Sequence, residues 1–486
     1  MNVKAISKNV GSALLVSSFF MAVCVAVSFA EGRDSGFVPL LVSTLITFIT
    51  GIFPFIFVKG IHSVSLRDGF VTIVLSWLLS FLFGMLPYVM WGGEMSIVDA
   101  WFESVSGFTT TGATILCDVE ALPRSLLLWR SSTHFIGGLG VVVFLLLVIP
   151  SASPFRRKMT SLEVSSLSKE GYRMQTSKLV KVIASVYTGI FLMAAAALIA
   201  AGMPPFDAVN HALSLCATGG FSVRNASIAA YGSPLINVIV LLIMVVATTN
   251  FALIYTCLVR RSLRPFLKNK MVRFYLGSIV VMTLIVTVSL HLQSADAPSW
   301  GKAALDAACT VVSYVTTTGF SFTDNSSWPF LSCMVLLYAS IQCATAGSTS
   351  SGIKTDRMIV VFRSIGRQIR TMLNPSQVGR IRYADGYMPD EQVLPVLLYI
   401  VLYFIILIIS TCLLLVCGLE GLEAISGSVA CLGNVGPGLG DLSVMCNYDW
   451  LNPAAKIICT LDMFLGRIEI YPLLISVSLL FDRRRR

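Results

Sequence analysis

The chain has 486 residues, of which 56% are hydrophobic and only 12% carry a charge. Because soluble domains carry about 25% charged residues, this composition excludes an ordinary soluble protein and indicates a large surface in contact with lipid. The twelve cysteines form no CxxC pair, the four histidines are scattered, and neither HExxH nor GxSxG occurs. The sequence therefore predicts neither an enzyme nor a protein with an organic cofactor.

Apolar runs of helical length recur along the whole chain. A helix needs about 20 apolar residues to cross a bilayer, and this requirement predicts ten spans, at 11–30, 37–58, 69–91, 125–149, 180–201, 234–258, 274–293, 328–361, 393–417 and 451–480. A cleaved signal peptide is the alternative for the first run, which follows two lysines. We favour a retained helix because the run is long for a signal peptide.

Basic residues are concentrated on one side of these ten spans. They fill the connections 156–181, 260–273 and 363–382, and both chain ends would lie on the same side. Basic loops stay in the cytoplasm, so we attribute the net charge of +10 to topology and lipid headgroups and expect no nucleic-acid partner. The opposite loops carry acidic residues such as Asp118 and Glu120, which would attract cations to an outer mouth.

Four segments of the outer side resemble one another. They read DAWFESVSGFTTTGAT from Asp99, DAVNHALSLCATGGFS from Asp207, DAACTVVSYVTTTGFS from Asp306 and EAISGSVACLGNVGPG from Glu423. In each, a glycine follows the leading carboxylate by thirteen residues, at Gly112, Gly220, Gly319 and Gly436. Four matches of spacing and residue type, each between two apolar spans, indicate an internal repeat.

Each repeat segment is too short to cross the membrane. About eleven helical residues cover roughly 16 Å, so the segment must enter and return on one side. The leading carboxylate suits a helix amino terminus, and the carboxyl end would favour a cation near mid-membrane. The following Thr- and Gly-containing backbone at this depth must be buried or line water, where a ring of carbonyls can replace the hydration shell of an ion.

The repeats therefore predict a selectivity filter for a dehydrated potassium ion. For a single segment, a helix cap with a glycine turn would be the simpler interpretation, but four segments in register favour the filter. The predicted carbonyl ligands are Thr110, Thr111, Gly112, Thr218, Gly219, Gly220, Thr317, Thr318, Gly319, Asn434, Val435 and Gly436.

Several further stretches carry a family resemblance. They are Trp129-Arg130-Ser131, Gly137-Gly138-Leu139-Gly140, the segment from Ala346 to Lys354, and Gly466-Arg467-Ile468-Glu469. Together with the repeats, they resemble the Trk/Ktr/HKT superfamily of cation transporters, most closely its bacterial Trk-type pore-forming subunits, from about residue 60 to the end. Gly112 resembles the potassium-preferring members, whereas the second and fourth repeats depart from Thr-Thr-Thr-Gly, so we expect weaker selectivity than in a symmetric potassium channel.

The resemblance implies an all-α membrane protein with four M1–pore-loop–M2 repeats around one central pore plus two extra N-terminal helices. The expected division is 1–60 for the extra helix pair, 61–158 for repeat 1, 159–265 for repeat 2, 266–375 for repeat 3 with a broken second helix, and 376–486 for repeat 4. The resemblance also implies a homodimer in the bacterial inner membrane, pore loops facing outside, and a cytosolic nucleotide-binding regulatory subunit.

A gate is predicted from one interrupted span and one buried charge. The interruption comprises Ala346, Gly347, Ser348, Thr349, Ser350, Ser351 and Gly352. Such breaks are tolerated where they line a cavity, and the resemblance implies an intramembrane loop below the filter; close helix packing is the alternative. Arg467 lies inside the last span, where a charge usually faces a cavity or a partner. The resemblance implies that it projects into the pore beneath the filter and opposes cation passage; an ion pair with Asp462 or Glu469 is the alternative.

These observations predict channel-like, gated potassium uptake. The alternative is a symporter that couples potassium to protons or sodium, which would need paired broken helices and titratable groups near mid-membrane. The sequence shows only one clear break and few buried carboxylates, which favours the pore. It contains no ATP-binding motif.

Overall fold

The computed structural model describes residues 2–58, 65–93, 95–148, 176–294, 298–375, 380–383 and 386–481. Its helices are α1 (Val3–Ala30), α2 (Phe37–Phe57), α3 (Leu66–Gly84), α4 (Leu86–Trp91), α5 (Ile97–Phe108), α6 (Arg124–Val148), α7 (Thr176–Ala200), α8 (Pro205–Ala217), α9 (Pro234–Ala247), α10 (Phe251–Val259), α11 (Arg264–Lys268), α12 (Lys270–Gln293), α13 (Trp300–Val315), α14 (Phe330–Gln342), α15 (Thr355–Leu373), α16 (Asp390–Val416), α17 (Gly421–Gly433), α18 (Pro453–Arg467) and α19 (Tyr471–Phe481). Two 3₁₀ turns lie at Ser227–Tyr231 and Gly440–Leu442. A short antiparallel hairpin pairs β1 (Ile381–Tyr383) with β2 (Gly386–Met388), with Ile381 opposite Met388.

Six helical segments of the described chain are long and apolar enough to cross a membrane, and the bent pair α9–α10 would be a seventh. The six are α1, α2, α3 with α4, α7, α12 and α16. All seven coincide with predicted spans. The three other predicted spans contain α6, the pair α14–α15 and the pair α18–α19, which do not pass as continuous apolar helices within the described residues. For those three spans, a crossing of the membrane therefore stays a prediction.

We group the helices after the predicted repeats, as an N-terminal pair, α1 and α2, and four units. We refer to α3–α6, α7–α10, α12–α15 and α16–α19 as units 1 to 4. In each unit, a helix of 12 to 16 residues leads into the predicted carbonyl ligands; these four, which we call the short helices, are α5, α8, α13 and α17. At 1.5 Å per residue these helices are about 18–24 Å long, which is less than the roughly 30 Å hydrocarbon core.

The short helices begin much as the sequence predicts. In α5, Ser96 and Asp99 form a capping box, because the Ser96 hydroxyl accepts from the Asp99 N–H and the Asp99 carboxylate accepts from the Ser96 N–H. Asp207 and Glu423 also lie in the first turns of their helices. The prediction is wrong for Asp306, since α13 begins six residues earlier, at Trp300, and places this carboxylate in its second turn.

The prediction of one broken span is also wrong, because the closing helix is interrupted in three units. In unit 2, α9 and α10 meet at an angle of 99°. Asn250 caps α10 by accepting from the N–H of Leu253, so a polar side chain satisfies the backbone that the bend releases. In unit 4, Glu469 and Ile470 adopt positive φ angles of 61° and 55° between α18 and α19. Unit 3 breaks between α14 and α15, as predicted.

Buried apolar side chains form two main clusters. One joins units 2 and 3 around aromatic residues such as Tyr187, Tyr275 and Tyr314. The other joins the N-terminal pair to units 1 and 4 around Phe81 and Trp129. Large apolar side chains on the outward faces of α2, α12 and α16 are exposed, which is the pattern of a surface in contact with lipid chains. Most residues of the four short helices, by contrast, are buried.

Candidate pore and gate

The backbone after each short helix repeats the same conformation. The first of the three predicted ligand residues is left-handed in every unit, and the third is a glycine with positive φ. The φ angles are 53° and 81° for Thr110 and Gly112, 56° and 82° for Thr218 and Gly220, 55° and 73° for Thr317 and Gly319, and 53° and 95° for Asn434 and Gly436. Alternation of left- and right-handed residues turns successive carbonyls to one side.

The four segments meet in a closed ring. A Cβ atom built on any of the four glycines would collide with a carbonyl oxygen of the next unit. The colliding pairs are Gly112 with Gly219, Gly220 with Thr318, Gly319 with Val435, and Gly436 with Thr111. The structure thus brings all twelve predicted ligand residues together around one axis, and it explains why glycine is required at these positions.

Side chains brace the ring from behind. The hydroxyls of Thr109 and Thr111 are 2.8 Å apart, and those of Thr316 and Thr318 repeat this contact at 2.8 Å. In unit 4 the Asn434 amide donates to the Thr111 hydroxyl at 2.9 Å and to the carbonyl of Met463 at 2.8 Å. The four units are therefore alike in backbone and different in the side chains that hold it.

A buried ion pair links the first two units. Arg130 donates from Nε to Glu103 Oε1 at 2.7 Å, and both side chains are almost fully buried. A terminal nitrogen of Arg130 donates to the carbonyl of Ser222 at 3.0 Å, just beyond the unit 2 ring residues. The sequence analysis quoted Arg130 only for the family resemblance and assigned it no role. The available signal was a glutamate inside the first repeat and an arginine inside the apolar span that follows it.

A cavity of about 120 Å³ lies at the glycine end of the ring. The four ring glycines contribute to its wall, together with polar loop residues. Arg224 pairs there with Glu120 at 3.1 Å, so the predicted acidic rim is partly neutralised. The Asn225 amide donates to Asp118 at 2.8 Å, and this hydrogen bond lowers the pKa of the Asp118 carboxyl. We call this cavity the vestibule.

The interrupted segment of unit 3 lies at the opposite end of the ring. Residues 343–354, between α14 and α15, form what we call the intramembrane loop. The Thr317 hydroxyl donates to Ser350 at 3.2 Å, and the Thr349 hydroxyl lies 3.5 Å from the carbonyl of Cys216 at the end of α8. The loop therefore contacts the first ring residue of unit 3 and the helix end of unit 2.

The bend in unit 2 holds this loop. Thr345 donates to the carbonyl of Thr248 at 2.8 Å, the Asn250 amide donates to the carbonyl of Ala346 at 2.9 Å, and the N–H of Phe251 donates to the carbonyl of Gly347 at 3.0 Å. The sequence analysis missed Thr248 and Asn250. The polar triplet Thr-Thr-Asn at 248–250, inside an apolar span, was the available signal.

Arg467 reaches the loop from unit 4. One terminal nitrogen donates to the carbonyl of Thr349 at 2.7 Å and to the Ser351 hydroxyl at 3.1 Å. The other donates to the carbonyl of Gly137 in α6 at 2.9 Å. The guanidinium, which is 3% exposed, thus joins unit 1, the loop and unit 4.

The expected ion-pair partners of Arg467 have other contacts. Asp462 accepts from the hydroxyl of Ser410, and Glu469 pairs with Lys354 and with Arg357, the latter at 2.6 Å. Among the described residues Arg467 makes no ion pair with either acid, so the structure does not support the ion-pair alternative. Glu469 instead ties the unit 4 break to the end of the intramembrane loop.

Comparisons with known proteins place this architecture in context. A family model described as "Cation transport protein", TrkH, matches residues 42–484. The chain is 31% identical over 398 residues to the Trk system potassium uptake protein TrkH of Salmonella typhimurium, which is 80% of each chain. It is 29% identical over 392 residues to TrkG of Escherichia coli and 31% identical over 393 residues to TrkI of Halomonas elongata, each match covering 80% of this chain.

A solved structure is similar over nearly the whole chain. The crystal structure of the potassium transporter TrkH from Vibrio parahaemolyticus superposes with a TM-score of 0.90 at 28% sequence identity. The match covers 99% of this chain and 100% of that one.

Proposed function

Because the chain belongs to the TrkH family of cation transport proteins, we propose that it carries potassium into the cell through the ring of backbone carbonyls. The family membership confirms the resemblance drawn from the sequence, and the all-α membrane fold agrees with it. Relatives named as potassium uptake proteins support potassium as the ion. The single observation that carries the route is the closed ring in which each glycine touches a carbonyl of the next unit.

The proposed ligands are the carbonyls of the twelve ring residues. A buried carbonyl ring offers a dehydrated cation the oxygens that it loses from water. The surrounding short helices direct their carboxyl ends, which carry partial negative charge, toward the ring. Inward movement then follows the gradient and the membrane potential, at about 2.3 kcal/mol per 100 mV for one charge.

The proposed gate is the intramembrane loop together with Arg467. The loop residues from Ala346 to Gly352 lie at the opposite end of the ring from the vestibule, and Thr317 and Cys216 contact them. The Arg467 guanidinium would oppose a passing cation by charge repulsion. Two of its hydrogen bonds hold it against the loop and a third holds it to Gly137 in α6, so displacement of the loop would remove two of its three contacts.

Coupled symport of potassium with protons or sodium is the second candidate, and the structure supplies an observation in its favour. The closing helix is broken in three units, and Asp462 is buried with a serine as its partner in the described structure. Broken helices and intramembrane carboxylates are features of coupled carriers. Flux in proteoliposomes separates the two: a fixed coupling ratio would favour the symporter, and electrodiffusive current the pore.

The partners and orientation are proposals that rest on the resemblance. They are a homodimer, a cytosolic nucleotide-binding regulatory subunit, and pore loops facing the outside of a bacterial inner membrane. Cross-linking in native membranes tests the dimer. Co-purification with a nucleotide-binding subunit from the same cell tests the regulatory partner.

The test of the carbonyl route uses one glycine of the ring and one outside it. Gly319→Ala introduces a Cβ that collides with the carbonyl of Val435, at a residue whose φ is 73°. Gly366→Ala is the matched control, because an added Cβ there meets no atom within 4 Å. We expect rubidium uptake and rescue of a potassium-uptake-deficient bacterium to be lost in the first variant and kept in the second. Normal uptake by Gly319→Ala, with equal protein in the membrane, would refute the route.

A further inference from the structure

Three of the four ring positions nearest the intramembrane loop differ in what their side chains contact. The Thr317 hydroxyl donates to Ser350 of the loop, whereas the Thr218 hydroxyl donates to the neighbouring carbonyl of Ala217. Asn434 has an amide in place of a hydroxyl and directs it to Thr111. Among these three positions of the described structure, Thr317 in unit 3 is the one whose side chain donates a hydrogen bond to the loop.

From this asymmetry we infer that Ser350 is a positioning residue for the Thr317 hydroxyl, which serves as an ion ligand at the loop end of the ring. The loop then influences which ion is preferred as well as whether an ion can pass. This inference rests on the proposed function, because it needs an ion in the ring.

The hydrogen-bond network fixes the direction of the hydroxyls. The Ser350 hydroxyl donates to the carbonyl of Ser351 at 3.5 Å and accepts from the N–H of Ala344 at 3.4 Å. Its remaining role toward Thr317 is therefore that of acceptor. Thr317 uses its proton in this bond, and its lone pairs are left for a cation. Both side chains are 4% exposed or less, so bulk water does not compete strongly for either group.

A mere tether would give a different result from a positioning contact. If the bond only holds the loop in place, its removal changes how often the path is open, and every ion is affected alike. If it orients a ligand, its removal changes the relative affinity for potassium-like and smaller ions. One neutral hydrogen bond corresponds to a change of roughly two- to tenfold in such a ratio.

The experiment measures sodium inhibition of rubidium uptake in cells with equal amounts of protein. We expect Ser350→Ala to change the ratio of the sodium inhibition constant to the rubidium KM by roughly two- to tenfold, and Ser350→Thr, which keeps a hydroxyl, to restore it. Thr345→Val is the matched control, because the hydroxyl of this loop residue donates away from Ser350, to the carbonyl of Thr248 at 2.8 Å. It should alter uptake rate without altering the ratio.

A second pair of variants keeps the test decisive if Ser350→Ala does not fold. Thr317→Val removes the hydroxyl at nearly constant volume, and Thr317→Ser keeps it. Thr317→Val should reproduce the altered ratio, Thr317→Ser should not, and Ser350→Ala should add nothing in the Thr317→Val background, since both changes remove the same contact. Additive effects, or an unchanged ratio in Ser350→Ala and Thr317→Val, would overturn the inference.

Failure of this inference differs from failure of the carbonyl route. If Gly319→Ala abolishes uptake and Ser350→Ala keeps the wild-type ratio, the ring stands and the role of Ser350 falls. If Gly319→Ala transports normally, the route itself falls, and the inference falls with it.

Discussion

The buried pair of Arg130 and Glu103 gives the sharpest test of how the ring is held. Arg130→Met keeps an unbranched side chain beside Phe221, over whose ring the guanidinium lies at 4.0 Å. It removes the cation that pairs with Glu103 at 2.7 Å, and it leaves that carboxylate, which is 0% exposed, without its counter-charge. Loss of one member of a buried ion pair costs about 3–5 kcal/mol. We expect a loss of stability of that size.

The assay is the fraction of monodisperse protein that survives heating in detergent, measured by size-exclusion chromatography, with rubidium uptake in parallel. Arg130→Met also loses the bond to the carbonyl of Ser222, so uptake should fall even in protein that stays folded. Glu103→Gln combined with Arg130→Met removes the stranded charge and should recover much of the lost stability. The recovery separates the electrostatic effect from loss of packing.

Arg124→Met is the matched control for this prediction. Arg124 pairs with Glu31 at 3.0 Å, but the two side chains are 63% and 30% exposed, and an exposed pair contributes at most about 1 kcal/mol. If Arg130→Met were as stable as Arg124→Met, or if the double variant were no more stable than Arg130→Met alone, the buried pair would not be what holds units 1 and 2 together.

Three further predictions concern the gate and the orientation. Arg467→Ala should raise rubidium uptake because it removes a positive charge and two hydrogen bonds from the loop, together with one to the carbonyl of Gly137; a large loss of folded protein with no gain in uptake would assign it a structural role. Asn250→Ala removes the amide that donates to the carbonyl of Ala346, and uptake should rise by up to several-fold, measured as initial rate; an unchanged rate would show that the unit 2 bend does not restrain the loop. Cys117, exposed in the vestibule, should react in intact cells with a membrane-impermeant maleimide, and Cys117→Ser should lower the labelling; no difference between them would contradict an outward-facing vestibule.

The ring residues could be predicted from the sequence because their constraint is local and repeated. A positive φ and a close backbone contact both require glycine, and the requirement recurs thirteen residues after each leading acidic residue. The register of α13 could not be read in the same way. Asp306 matches the other acidic residues in its spacing to the glycine, yet the helix begins at Trp300. The repeat does not specify how many helical residues precede the acidic one, so this start could not be predicted.

Contacts between distant segments account for what the sequence analysis missed or misassigned. The bend at 248–250 contacts the intramembrane loop, which lies almost a hundred residues further along the chain. Local periodicity does not encode a contact between segments so far apart in sequence. The partner of Arg467 was sought among its sequence neighbours, Asp462 and Glu469. Separations of five and two residues do not place side chains on one face of a helix, and α18 ends at Arg467 itself.

Pro472 is a sequence signal for the break in unit 4. It lies in the first turn of α19, a position that tolerates its missing N–H, and it therefore indicates a helix start inside the predicted span 451–480. The preceding Glu469 and Ile470 end α18 in left-handed conformations without any glycine. The carboxylate of Glu469 bound to Arg357 and Lys354 contributes to holding that uncommon backbone.

The departures of units 2 and 4 from Thr-Thr-Thr-Gly follow from what lies behind the ring. In unit 2, the ring of His134 occupies the place that a side chain at Gly219 would need, since a Cβ there would collide with the imidazole. In unit 4, the Asn434 amide reaches across to the Thr111 hydroxyl, a contact that a threonine at 434 would be too short to make in the same way. Both substitutions are therefore matched by a neighbour, and the backbone angles of all four units stay alike. If the ring carries the ion, we therefore expect any loss of selectivity relative to a symmetric channel to arise from the side chains at the loop end, which differ between units.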